Sequence, residues 1–186
     1  MSEKVAERPR RKNTAVPQTP RVTATLSYFE GVAASSIVAP VLPEELKDYY
    51  FKRGFFNADA EEVKHLDRFF ERTEDGKPFL SGSAVIGLLN LFTNVFGERE
   101  VWDSIKPKIH FLRMEGEKCV IQKRFVGKSL VVYECFPAAT RLYIHYVDLG
   151  LSDQERETLK RMISRAGTLI GIGAWIRRGF GRFRLL

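Results

Sequence analysis

The residues able to do chemistry in this 186-residue chain crowd into positions 171–186, GIGAWIRRGFGRFRLL, where four glycines and four arginines stand without an acid. Gly171 and Gly173 precede a five-residue insert that holds Trp175, Arg177 and Arg178, and Gly179 and Gly181 follow it, giving the pattern G-x-G-x5-G-x-G. Glycine permits positive φ and leaves no Cβ between backbone and ligand. The segment therefore reads as a backbone loop laid against phosphates. A dinucleotide fingerprint needs a strand before its glycines and a helix after them, and here the order is reversed. The plainer reading of the same glycines is a helix C-cap followed by entry into a hairpin.

Elsewhere the candidates are sparser. Ser81-Gly82-Ser83 opens an apolar helix, so hydroxyls and free N–H groups meet at its positive end, a possible anion site or an ordinary serine cap. Lys123 and Arg124 extend a basic path along one strand. General acid–base work would fall to histidine, and the chain has three. His65 lies among polar neighbours, whereas His110 alternates with Lys108, and His145 with Arg141 and Tyr143, on strand faces where phosphate could lie. Cys119 and Cys135 lack zinc or redox spacing and read as reduced core residues. With no H-E-x-x-H, no triad spacing and no clustered carboxylates, binding without catalysis is the expectation, and neither a metal nor another cofactor is expected.

These residues need elements to hold them. Residues 1–20 carry three prolines and almost no large apolar side chain, which predicts a disordered basic arm ahead of one folded domain over 21–186. The β-branched and aromatic run RVTATLSYFEG predicts a first strand, and 43–53 a short helix. DAEEVKHLDRFFER spaces Val63, Leu66, Phe69 and Phe70 as one helical face, and SGSAVIGLLNLFTNVFG sets Ala84, Val85, Leu88, Leu89, Phe92, Val95 and Phe96 in a broad apolar stripe. From Lys108 to Val147 the chain alternates as four strands of a mostly antiparallel sheet. A capping box, Ser152 to Glu155, then opens a helix with Leu159, Met162, Ile163, Ala166 and Ile170 on one side. RFRLL has the character of a closing strand.

The net charge of +7 is uneven: residues 1–21 hold six Lys/Arg against two Glu, and the acid-free end holds four Arg. A near-neutral body with two basic ends argues for a local polyanion contact, nucleic acid before membrane. No apolar run approaches the roughly 20 residues of a membrane span and no signal peptide follows the basic start, so the expected location is the cytoplasm.

GIGAWIRRGFGRF resembles the C-terminal glycine-rich loop of the RAMP superfamily, CRISPR-associated proteins with ferredoxin-like, RRM-like folds. KPFLSGSAVIGLLNLF resembles that superfamily's segment in which a serine-glycine turn opens a helix with a small residue one turn in, here Gly87. The chain is also similar to short proteins of tailed phages that end in a GIG-x-W-R…GRF motif. The resemblance spans about residues 77–186 and departs from RAMP endoribonucleases in lacking a histidine near the expected early helix position. It implies an α+β fold, an antiparallel sheet packed by helices. It also implies single-stranded nucleic acid, RNA ahead of DNA, held by the glycine loop and the sheet face.

The residues permit that chemistry independently: Trp175 can stack on a base, and Arg177, Arg178 and Arg182 can clamp phosphates. The other reading of Trp175 is an apolar plug over the helix 152–168. Three function classes follow. The first is a binding subunit that assembles along a strand within a larger ribonucleoprotein. The second is a metal-independent endoribonuclease using His110 or His145, and the third a phage scaffold or virion protein whose arm contacts a genome.

Overall fold

The computed structural model describes residues 23–186; the expected basic arm, 1–20, lies outside the described residues. In chain order the elements are β1 (Thr25–Ala33), β2 (Ile37–Val38), α1 (Glu44–Lys52), α2 (Ala60–Lys64), β3 (Leu66–Arg68), β4 (Glu71–Arg72) and β5 (Pro78–Ser81). Then come α3 (Gly82–Phe96), α4 (Arg99–Ile105), β6 (Ile109–Gly116), β7 (Val120–Val126), β8 (Ser129–Phe136), β9 (Arg141–Asp148), α5 (Asp153–Leu169) and β10 (Phe183–Leu185).

The core is the β-α-β-β-α-β unit β1-α3-β6-β9-α5-β10, paired antiparallel in the order β10-β1-β9-β6 and extended at one edge by β5 and β4. This is the ferredoxin-like arrangement. It arises because β1 and β9 alternate buried and exposed positions, so Phe29, Ala33, Leu142, Ile144 and Tyr146 all face one way. Onto that face α3 lays Val85, Leu88, Leu89 and Phe92, and α5 lays Leu159, Met162, Ile163 and Ala166. The capping box of α5 forms as its sequence requires, Ser152 accepting from the Glu155 N–H while Glu155 accepts from the Ser152 N–H. The stripe on α3 is narrower than its composition suggests, because Val95 and Phe96, in its last turn, stay exposed.

Two insertions into this unit build a second sheet. β2 and β3 come from the segment between β1 and α3, and the hairpin β7-β8 from between β6 and β9; β8 pairs with all three others. The four strands expected over 108–147 are therefore present but divided between two sheets.

The helix expected over the segment DAEEVKHLDRFFER stops at Lys64. Phe69 belongs to one apolar cluster and Phe70 to another, on opposite sides of the chain. Consecutive residues do that in extended backbone, not about 100° apart on a helix. Side chains and strands far away in sequence complete the polar groups: the Phe70 N–H donates to Glu134 at 2.9 Å, and the Val132 N–H to Asp67 at 2.8 Å. Arg72 then closes on Glu134 as a fully buried ion pair, with a further bond to the Phe70 carbonyl. Glu134 comes from the second sheet and Arg72 from the first, so this pair joins them.

Candidate nucleic-acid interface

The glycine loop runs from the end of α5 to β10, and backbone bonds stitch it to the β1-β2 connection. The Ile172 N–H donates to Gly181 at 2.9 Å, Ala174 to Val38 at 2.9 Å and Gly181 to Ser36 at 2.9 Å. The Ser35 hydroxyl accepts from the Arg182 N–H, and the Arg182 carbonyl accepts from the Ala34 and Ser35 N–H groups. All four glycines take positive φ, yet they do different work. A Cβ on Gly181 would lie 2.1 Å from the Ile172 carbonyl oxygen, whereas one on Gly179 would have no neighbour within 4 Å. Gly171 and Gly173 also lie against backbone. Three of the glycines therefore serve the crossing of the loop over itself and over β2, and of the four only Gly179 has open space where a Cβ would stand.

Between these crossings, Trp175 adopts left-handed backbone and a single 3₁₀ turn, Ile176–Arg178, projects Arg177 and Arg178 into solvent. The indole is half-buried. It packs on the second sheet rather than over α5, edge-on to Tyr133 at 4.8 Å and to Phe180 at 5.7 Å. The guanidinium of Arg68 lies 5.2 Å from the centre of the Trp175 ring, and that of Arg124 5.1 Å from the Phe180 ring. Neither Arg68, Arg124, Arg177 nor Arg178 pairs with a carboxylate among the described residues. An arginine stacked on an aromatic face keeps its in-plane N–H groups for phosphate.

Of the residues singled out by sequence, the structure thus brings together the loop, Trp175, Arg177, Arg178 and Arg124. Lys123 does not join them: successive strand residues face opposite ways, and Lys123 lines a cavity of about 710 Å³ beneath α2, together with His65 and Lys47. Arg182 turns back to the Thr168 carbonyl at 3.2 Å. Ser81 and Ser83 bond each other, Oγ to Oγ at 2.6 Å, and neither side chain caps α3. Gly82 between them is required by packing, since a Cβ there would meet the Phe111 carbonyl oxygen at 2.1 Å. Ser81, Ala84 and Gly87 nonetheless face Gly171, Ile172 and Gly173 across a mostly apolar cleft of about 450 Å³, so the two glycine-bearing segments meet in space.

The histidines sit away from the loop. His110 and His145 lie on adjacent strands of the helix-free sheet face, His110 opposite Val147 and His145 opposite Arg113. Burial pushes the His145 imidazole below its ordinary value, against the opposing pull of Glu115. Cys119 and Cys135 are both free; burial raises both thiols, Cys135 to about 11. Among the described residues no group of three or more His, Cys, Asp or Glu side chains is placed to hold a metal ion, and no helix is long and apolar enough to cross a membrane.

Arg68, Tyr133 and Phe180 were missed by sequence reasoning. Arg68 was hidden in a segment with helical spacing, and Tyr133 reaches the loop only through sheet pairing. Phe180, inside GFGRF, was the one legible signal.

Comparison with solved structures finds the same α+β fold in chains of CRISPR complexes. The chain is similar to a chain of the Type III-B Cmr-β complex bound to cognate target RNA, at 10% identity and a TM-score of 0.57 over 88% of this chain. It spans 59% of that chain's length. It is also similar to a chain of a Type IV-B CRISPR complex, at 12% identity and a TM-score of 0.55, covering 87% of this chain and 90% of the other. Cmr6 from Pyrococcus furiosus aligns at 12% identity over 88% of this chain and 98% of its own, with a TM-score of 0.48. No family model matches the sequence, and no curated protein does.

Proposed function

We propose that this chain is an RNA-binding subunit of a CRISPR-type ribonucleoprotein, holding single-stranded RNA across the arginine and aromatic face beside its glycine loop. One observation carries the reading. Two stacked arginines, Arg68 on Trp175 and Arg124 on Phe180, stand with exposed Arg177 and Arg178, and none has an acidic partner among the described residues. Unpaired guanidiniums held over rings match a polyanion that also carries flat bases, since arginine binds phosphate and aromatic side chains stack on bases. Gly179, with no neighbour near its missing Cβ, lets the RNA backbone come close. The likeness to chains of two CRISPR complexes, one holding target RNA, supports the same assignment.

The test is a salt titration of single-stranded RNA binding, comparing the wild type with Arg177→Ala/Arg178→Ala. The variant binds more weakly, and its logarithmic salt slope is shallower by about 0.7 for each phosphate that the arginines no longer neutralise. Equal affinity and equal slope would remove the loop from the site. Gel analysis of the wild-type samples for cut RNA tests the endoribonuclease alternative.

A further inference from the structure

The edge strand of the second sheet has a side that nothing uses. Among the described residues β7 pairs only with β8, and no turn or loop backbone bonds to it. The two-residue turn Gly127-Lys128 makes Val126 and Ser129 a hydrogen-bonded pair. Phe125 with Leu130, Lys123 with Val132 and Ile121 with Glu134 are then the alternate pairs, whose backbone groups point away from each other. On β8 they do: the Val132 N–H turns to Asp67 at 2.8 Å, and the Glu134 carbonyl accepts from the Ala39 N–H at 3.0 Å. On β7 the N–H and C=O groups of Ile121, Lys123 and Phe125 therefore point outward, a row of donors and acceptors that one more strand would satisfy.

The two faces of β7 differ in chemistry. On one, Phe125 and Leu130 oppose each other, 69% and 51% exposed. Leu130 and Val41, itself 65% exposed, line the cavity of about 710 Å³ whose floor is Leu66, Phe69 and Val132. On the other face stand Gln122 and Arg124. Charge narrows the choice of occupant. Residues 118–133 hold four Lys/Arg and no acid, and none of the four takes a carboxylate among the described residues. A second copy pairing β7 antiparallel about its middle would set one Lys123 against the other, like charges that repel. Residues 1–21, with six Lys/Arg against two Glu, carry the same sign as the hairpin and do not complement it.

We propose that the free edge of β7 docks an extended segment of a partner protein in which acidic and apolar residues alternate. Added as the next strand, that segment places its acids beside Arg124 and its apolar side chains beside Phe125 and Leu130, because successive residues of a strand face opposite ways. The proposal goes beyond the RNA-binding reading and shares only Arg124 with it.

The test titrates the full-length chain into a fluorescein-labelled peptide of alternating Glu and Val that spans the length of β7, followed by fluorescence anisotropy. The peptide binds, and its counterpart with Lys in place of Glu does not. Phe125→Ser, a change at an exposed ring, weakens binding by about 10-fold or more, as expected when an aromatic side chain loses its cover in the complex. Lys123→Ala and Lys123→Pro lose the same charge, but the proline also removes an outward N–H while sparing the ladder to β8. It binds about 3- to 10-fold more weakly than the alanine variant, the range for one hydrogen bond. Phe125→Ser keeps the wild-type melting temperature and carries the test if the proline disturbs the hairpin. Equal binding of the Glu and Lys peptides, no binding of either, or wild-type affinity in Phe125→Ser overturns the proposal. It also falls if the wild type is a dimer that Phe125→Ser separates, the occupant then being a second copy, or if Phe125→Ser loses single-stranded RNA and not the peptide. Arg177→Ala/Arg178→Ala keeps the wild-type affinity for the peptide, so this proposal and the RNA-binding reading fail separately.

Discussion

The two glycines around Phe180 should respond unequally to the same mutation. At Gly179, where φ is +86° and the missing Cβ would point into open space, Gly179→Ala carries only the backbone penalty. That is about 1–2 kcal/mol for an L-residue in left-handed backbone. Gly181 has a similar φ of +81°, but its Cβ would lie 2.1 Å from the Ile172 oxygen and 2.8 Å from the Ile172 nitrogen. Backbone atoms cannot swing away as a side-chain tip does, so the two strands of the loop must separate. Separation strains or breaks the bonds from the Ile172 N–H to Gly181 and from the Gly181 N–H to Ser36, both 2.9 Å. At about 0.5–1.5 kcal/mol for each hydrogen bond, added to the backbone penalty, Gly181→Ala should cost about 2–5 kcal/mol.

Urea unfolding of the two variants, fitted with a shared m-value, gives the difference directly. RNA binding measured where both are fully folded gives the other half: Gly179→Ala loses affinity beyond its small loss of stability, because its new methyl stands where the RNA backbone would approach. Equal stability losses, or a larger one at Gly179, would refute the close crossing at Gly181. Unaltered RNA affinity for Gly179→Ala would refute the approach of RNA at that point.

Other perturbations test the frame around the loop. Glu134→Leu leaves the Arg72 guanidinium buried without its anion and should destabilise by about 3–5 kcal/mol, while Arg72→Met combined with Glu134→Leu should recover most of that loss in the same unfolding assay. Glu155 is held down to about 2 by the Lys108 ammonium and by the Ser152 N–H and hydroxyl. With its folded pKa below its unfolded one, the carboxylate contributes stability that is present above about pH 4.5 and lost as pH falls toward about 2. Glu155→Gln should flatten that part of a plot of unfolding midpoint against pH.

What the sequence disclosed was local. The capping box of α5, the helix α3 and the strands β6 through β9 depend on neighbours a few residues apart, and each formed. Segment 65–72 did not follow its spacing, because its structure is set by Glu134 and Val132, more than 60 residues away. The division into two sheets was illegible for the same reason: alternation shows that β8 is a strand but not that its partners are β2, β3 and β7. Positive φ at the loop glycines could be anticipated from residue type, whereas Arg68 and Arg124 reach the loop only through the second sheet.

That dependence explains why the loop should need the insertions. A ferredoxin-like unit alone ends α5 and begins β10 with a connection free to lie anywhere along the sheet edge. Here the strands inserted after β1 and β6 raise a second sheet beside that edge, and the loop crosses onto it through the bridge between Val38 and Ala174. Trp175 and Phe180 then pack against Tyr133, and the strands that bury them also bring Arg68 and Arg124 over their rings. The insertions thus add Arg68 and Arg124 to the Arg177 and Arg178 that the loop itself carries. The Arg72–Glu134 pair sits at the junction between the two sheets. Loosening it should therefore disperse the arginine face before it unfolds the ferredoxin-like core, so that the Glu134→Leu chain loses RNA affinity at urea concentrations where the helical signal of α3 and α5 is still intact.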